Sequence, residues 1–131
     1  MVKMADIQEY SDAIAAEFKP RQIILFGSHA RGDAREHSDV DLMVVMNHRG
    51  HPVFKAIEIR QKLDCDFALD LLVRSPAKIN QRLRINDFFM KEIVEQGLVL
   101  YDAGNQRVAR KSRGRLPKQR KGNARKKSSQ L

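Results

Sequence analysis

The chain has 131 residues and a formal net charge of +9, enough length for one modest core. The charge is unevenly spread: residues 105–131 hold eleven Lys/Arg and no acid, which leaves fourteen basic residues against sixteen acids, about −2, in 1–104. A body of that sign is not by itself a nucleic-acid-binding surface. A single cysteine, Cys65, excludes an intrachain disulfide, and no apolar run approaches the length of a membrane span.

Near the N-terminus Asp6, Glu9 and Asp12 break any signal-peptide pattern, so a cytoplasmic protein is expected. Residues 4–18 predict an amphipathic helix with Met4, Ile7, Ile14, Ala15 and Phe18 on its inner face, ended by Pro20. Gln22 to Phe26 is short, apolar, β-branched and bounded by Pro20 and Gly27, which predicts a buried strand. Ser28 to Ser38 is polar and predicts a turn with one helical turn after Ser28. Val40 to Met46 predicts the second strand, and 47–50 a turn. Residues 53–64 predict a helix with Val53, Ala56, Ile57 and Leu63 inward, followed by a third strand from Phe67 to Val73.

Ser75-Pro76 is an N-cap followed by a first helical proline, so a short helix through Leu83 is expected. Asn86 is the candidate cap of a last helix with Phe89, Met90, Ile93 and Val94 inward, ending at Gly97. Leu98 to Tyr101 predicts a closing strand. The order describes an α+β (α/β-like) domain over 1–104, a small mixed sheet with helices packed on it. The basic stretch 105–131 has too few apolar residues to order itself and is expected to be a disordered tail, with nonspecific binding of RNA or DNA as one use and simple solubilisation as the other.

The chemistry concentrates in GSHARGDAREHSDVDL, residues 27–42. Aspartate is depleted in strands, yet Asp39 and Asp41 lead straight into LMVVM. Residues two apart on a strand share a face, with Cα atoms roughly 6.6 Å apart. Two-metal sites hold their ions about 3.5–4 Å apart, so a pair at that spacing can serve both. Asp70, inside FALDLLV, is a third acid in an apolar setting and is costly without a partner. If its strand lies beside 40–46, three carboxylates cluster. The plain alternative is a turn cap, a strand-edge charge and an ion pair of Asp70 with Arg74 or Arg31.

Gly27 ends a strand where the backbone can approach a ligand closely, and Ser28 offers a hydroxyl and an N–H to a phosphate. Arg31 and Arg35 follow within reach of an anion. His29 and His37 lie near enough to touch a nucleotide, or are simply solvated.

A Gly-Ser pair, ten residues, then Asp-x-Asp, with Asp70 as third acid, resembles the nucleotidyltransferase superfamily of DNA polymerase beta type. The small size, the ARG after the Gly-Ser, and NDFFMKEIVEQGLVLYDA resemble more narrowly the minimal nucleotidyltransferase (MNT) proteins, over roughly residues 1–104. The resemblance implies that Gly27, Ser28 and Arg31 hold the nucleotide, that Asp39, Asp41 and Asp70 bind two Mg2+ ions, and that Asp70 serves the attacking hydroxyl. It implies transfer of AMP from ATP. It further implies an antitoxin whose acceptor is a tyrosine of a HEPN-type ribonuclease toxin; Phe88 or Phe89 and Met90 of the last helix are candidates for docking it, with core packing the favoured alternative. The alternatives are an antibiotic-type small-molecule nucleotidyltransferase, whose extra substrate domain has no room here, and a non-catalytic protein- or RNA-binding partner on the same fold.

Overall fold

The computed structural model describes residues 1–104; the basic stretch 105–131 lies outside the described residues. The elements are α1 (Met4–Phe18), β1 (Gln22–Phe26), α2 (Ser28–Arg31), β2 (Val40–Val45), α3 (Pro52–Lys62), β3 (Leu69–Arg74), α4 (Pro76–Arg84), α5 (Phe88–Gln96) and β4 (Leu98–Asp102). The strands form one mixed sheet in the order β3-β2-β1-β4. β1 pairs antiparallel with β2 and β4, while β2 and β3 run parallel through the α3 crossover. The expected α+β fold, a mixed sheet under helices, is what forms.

Alternation along the strands builds two cores, one on each face. Ile23, Leu25, Leu42, Val44, Leu71 and Val73 pack against Ile7 and Ile14 of α1 and Ala56 and Ile59 of α3. Ile24, Phe26, Met43 and Val45 pack against Ile79 of α4 and Met90 and Ile93 of α5. Helices on both faces explain why the central strands are almost unbroken apolar runs. None of the described helices is long and apolar enough to cross a membrane.

The inner face of α3 differs from expectation. Val53 and Ile57 are 48% and 44% exposed, and Ile59 is buried instead. At about 100° per residue, Ala56, Ile59 and Leu63 share one stripe, and Val53 and Ile57 turn well away from it. The crossover onto β3 decides which stripe meets the sheet, so the 53–57 stripe is left outside. Met4 is likewise exposed. β3 starts at Leu69, not Phe67, which instead packs its ring edge against Tyr10, 5.9 Å between centroids.

The cap of α5 is Asp87, one residue past the expected Asn86. Asp87 Oδ1 accepts from Met90 N at 2.9 Å, and its other oxygen pairs with Arg82 at 2.7 Å. Asn86 takes φ +60° and closes the turn after α4, its N–H donating to Leu83 O at 3.1 Å. Asparagine is one of the few residues that visits the left-handed region readily. Two adjacent capping types thus divide two jobs.

Candidate active site

Strand directions bring the acids together. β1 ends where its antiparallel neighbour β2 begins, and β3 starts at that same edge because it is parallel to β2. The register pairs Phe26 with Asp41 and Asp41 with Asp70. Phe26, Asp41 and Asp70 therefore form one row across three strands, with Gly27 one residue beyond Phe26 and against the Asp41 carboxylate. The acids also share a face. Leu71 and Val73 point into the α1/α3 core, so Asp70, Leu72 and Arg74 point the other way, as do Asp41, Met43 and Val45. The adjacency of strands on which a carboxylate cluster depended is present.

Gly27 has φ +77° and ψ −155°, a combination open essentially to glycine alone. A Cβ built there would lie 2.2 Å from Asp41 Oδ2. Asp41's carboxylate thus rests against the bare Cα of the turn. Gly27 O accepts from Ala30 N and Arg31 N at 3.1 and 3.0 Å, starting α2. The first N–H groups of a helix have no partner within it, so those of Ser28 and His29 are the donors this turn can offer a ligand.

The loop after α2 folds back on itself. Arg35 N donates to Ser38 Oγ at 2.8 Å, and Ser38 N to Arg35 O at 3.0 Å. The His29 ring lies 3.3 Å from Ser38 O, tying α2 to the loop that delivers Asp39. Arg31 forms an exposed ion pair with Asp33 at 3.3 Å.

Burial first, and then the charge of Asp70 beside it, raise the pKa of Asp41 above the usual carboxylate range; Asp39 adds to this, and His29 opposes it. Asp41 and Asp70 approach within hydrogen-bonding reach of each other. Asp39 lines the same cleft as these two, and among the described residues no three acidic, histidine or cysteine side chains are drawn together closely enough to form a metal-binding group. The donor set still suits a hard divalent cation, since the row offers carboxylate oxygens and a cation removes the repulsion between Asp41 and Asp70.

Asp70 is exposed. The expectation of a buried acid is corrected: β3 is an edge strand, and α4 and α5 do not cover its first residues. The acid is therefore held by its place in the row, next to Asp41, without any burial penalty of its own.

These groups line a cleft of about 720 Å3 that includes Gly27, Ser28, Arg31, Asp39, Asp41 and Asp70. The six residues that the family resemblance assigns to nucleotide or metal all lie on it. Of the further residues considered for nucleotide or anion contact, His37 lines it as well, and His29 and Arg35 do not. Arg74, Glu92 and Gln96 complete the walls; sequence reasoning offers Arg74 only as an ion-pair partner of Asp70 and misses Glu92 and Gln96. Arg74 was within reach, since it stands at even spacing from Asp70 along the same strand. Glu92 and Gln96 carried no signal beyond being polar positions of a surface helix. Phe89, expected inward, is 51% exposed and sets its ring edge on Phe26, 5.8 Å between centroids. It closes the cleft instead of filling the core.

A small mixed sheet with a glycine-serine turn and paired carboxylates on one edge defines a nucleotidyltransferase fold. The model of the family "Polymerase beta, Nucleotidyltransferase" matches residues 8–106. The chain belongs to that family and is a nucleotidyltransferase. Two proteins of Methanocaldococcus jannaschii, both named as putative protein adenylyltransferases, are similar to it. One is 35% identical, covering 72% of this chain and 94% of the relative; the other is 27% identical, covering 71% and 88%. A crystal structure described as a putative nucleotidyltransferase from Sulfolobus solfataricus shares the fold. Its TM-score is 0.56 at 18% identity, covering 78% of this chain and 82% of that one.

Proposed function

We propose that this nucleotidyltransferase moves AMP from ATP to a hydroxyl of a protein partner, and that the partner is a HEPN-type ribonuclease toxin modified on a tyrosine. In this reading the protein is of the minimal type and acts as an antitoxin. The observation that carries the chemistry is the pairing of Asp41 with Asp70 across β2 and β3, the Asp41 carboxylate resting against Gly27, with Asp39 on the same cleft. The protein acceptor is supported by the names of the two relatives, both putative protein adenylyltransferases.

The residues divide the work. The Gly27–Ser28 turn holds the triphosphate through its N–H groups and the Ser28 hydroxyl, and Arg31 adds positive charge at the rim. Asp39, Asp41 and Asp70 would hold Mg2+, two ions in the full site. When bound, these supply charge neutralisation on the phosphates and lower the pKa of the acceptor hydroxyl. Asp70, the exposed member of the row, faces the acceptor and takes its proton. The acceptor oxygen bonds to the α-phosphorus as the bond to the β-phosphate oxygen breaks, and pyrophosphate leaves with that electron pair. Little covalent help is needed, and positioning and charge neutralisation do most of it.

The test uses α-labelled ATP, Mg2+ and the product of the neighbouring gene. Label on that protein, lost in both Asp39→Asn and Asp41→Asn, supports the proposal. Repression of the neighbour with no label transferred by the wild type would overturn it in favour of a non-catalytic partner.

A further inference from the structure

A second depression of about 580 Å3 opens beside the active-site cleft, between α4, the start of α5 and the loop before α3. It shares Leu72, Arg74 and Phe89 with the cleft, so the two are continuous. Asp70, Leu72 and Arg74 alternate on one face of β3 and make a common floor. From Asp70 to Arg74 that floor runs roughly 13 Å, at about 3.3 Å per residue.

The depression is basic on a body that is not. Arg74, Lys78 and Arg82 stand four residues apart, and His48 lines the opposite wall. Asp87 is the one carboxylate lining it, and that group is committed to capping α5 and pairing with Arg82. Neither Arg74 nor Lys78 has a carboxylate partner among the described residues. Residues 1–104 as a whole carry about −2, so this cationic strip is a local excess leading to the third acid. Phe89, half exposed at the junction, adds an apolar step between strip and cleft.

We infer that the groove of Arg74, Lys78 and Arg82 is the acceptor channel, and that it takes an acidic segment of the acceptor protein lying beside the accepting hydroxyl. The inference rests on the protein-acceptor reading above and adds to it which part of the acceptor is recognised. An extended chain with its hydroxyl at Asp70 places side chains about four residues away at Arg74, in the depression that Lys78 also lines. Carboxylates there meet unpaired cations, and the −2 body discourages a polyanion long enough to run past the strip. Charge of this kind at an open groove governs association and its salt dependence.

Binding and transfer are measured separately on the full-length chain. The probe is a short fluorescent peptide with one tyrosine followed by glutamates; lysine-substituted peptide and a short single-stranded RNA serve as comparisons. The acidic peptide binds best, and Lys78→Glu weakens it by about fivefold or more while the affinity for ATP is unchanged. Because 105–131 is the same in both proteins, the difference belongs to the groove. Lys78→Glu with the lysine peptide restores part of the loss. If the acidic peptide binds through Lys78 but never receives AMP, the groove stands and the adenylylation reading falls. If peptide is adenylylated equally by wild type and Lys78→Glu, the groove is refuted and the adenylylation reading stands. RNA binding that depends on Lys78, with none for the acidic peptide, also overturns the groove.

Discussion

Replacing Gly27 with alanine puts the geometry of the row to the sharpest test. The new Cβ would sit 2.2 Å from Asp41 Oδ2 and 3.1 Å from its Cγ. Ordinary contact begins near 3.4 Å, so something must retreat by about 1 Å. The obstructing atom is the tip of a side chain, which yields before the paired backbone of β1 and β2 does. The displacement therefore falls on the chemistry more than on the fold. Holding a non-glycine residue at φ +77°, ψ −155° costs about 1–3 kcal/mol, while a carboxylate misplaced by about 1 Å can cost about 100-fold in rate. Gly27→Ala should remain folded, with a lowered melting temperature, and lose about 100-fold or more in AMP transfer from labelled ATP. Gly32→Ala is the control: φ is +87° there too, but nothing lies within 4 Å of the added Cβ. It should lose some stability and keep nearly all activity. Wild-type transfer by Gly27→Ala, or equal losses in the two variants, would refute the placement of Asp41 against the turn.

Other consequences can be checked on the same preparations. Asp41→Asn should abolish transfer yet raise the melting temperature at neutral pH. Burial and Asp70 raise the pKa of Asp41 in the fold, so its ionisation opposes folding; the gain should vanish below about pH 4, where the unfolded carboxyl is also protonated. Asp87→Asn acts in the opposite sense. The Met90 N–H and Arg82 hold that carboxyl below its usual pKa, so its stabilising effect is present above the unfolded pKa and fades as pH falls through the lower folded value. Melting curves of wild type and Asp87→Asn should therefore converge in strong acid. Gly97→Ala places a Cβ 2.6 Å from both Ile24 Cγ2 and Ile93 O, and should destabilise by about 1–3 kcal/mol in denaturant titrations. A chain ending at Gly104 should lose RNA retained at low salt; retention by the shortened chain would remove 105–131 as the source of that binding.

Much of the site was legible because its signals are local. Gly27, Ser28, Asp39 and Asp41 lie within fifteen residues, and the strands on either side announce themselves by apolar runs bounded by proline and glycine. Strand pairing is not local. Nothing in LMVVM or FALDLLV states that Asp41 stands opposite Asp70, and the parallel register arises only when α3 crosses the sheet. The exposure of Asp70 is hidden for the same reason, since an apolar strand looks alike at the centre and the edge of a sheet. On α3 two apolar stripes compete, and only contact with β3 selects the one holding Ile59. At Asn86-Asp87 either residue can cap a helix, and the left-handed turn after α4 assigns the cap to the second.

The position of β3 at the border of the sheet has a consequence for endurance. β2 is laddered on both sides, but β3 is hydrogen-bonded to a strand on only one. Detaching β3 leaves β2, β1 and β4 paired, so the third acid departs in an opening smaller than global unfolding. Loss of AMP transfer is therefore expected at milder heat or denaturant than loss of the fold as a whole, and coincident activity and melting transitions would refute this. A molecule seated along Leu72 and Arg74 grips that same strand, and by favouring its attached form it protects the machinery that acts on it.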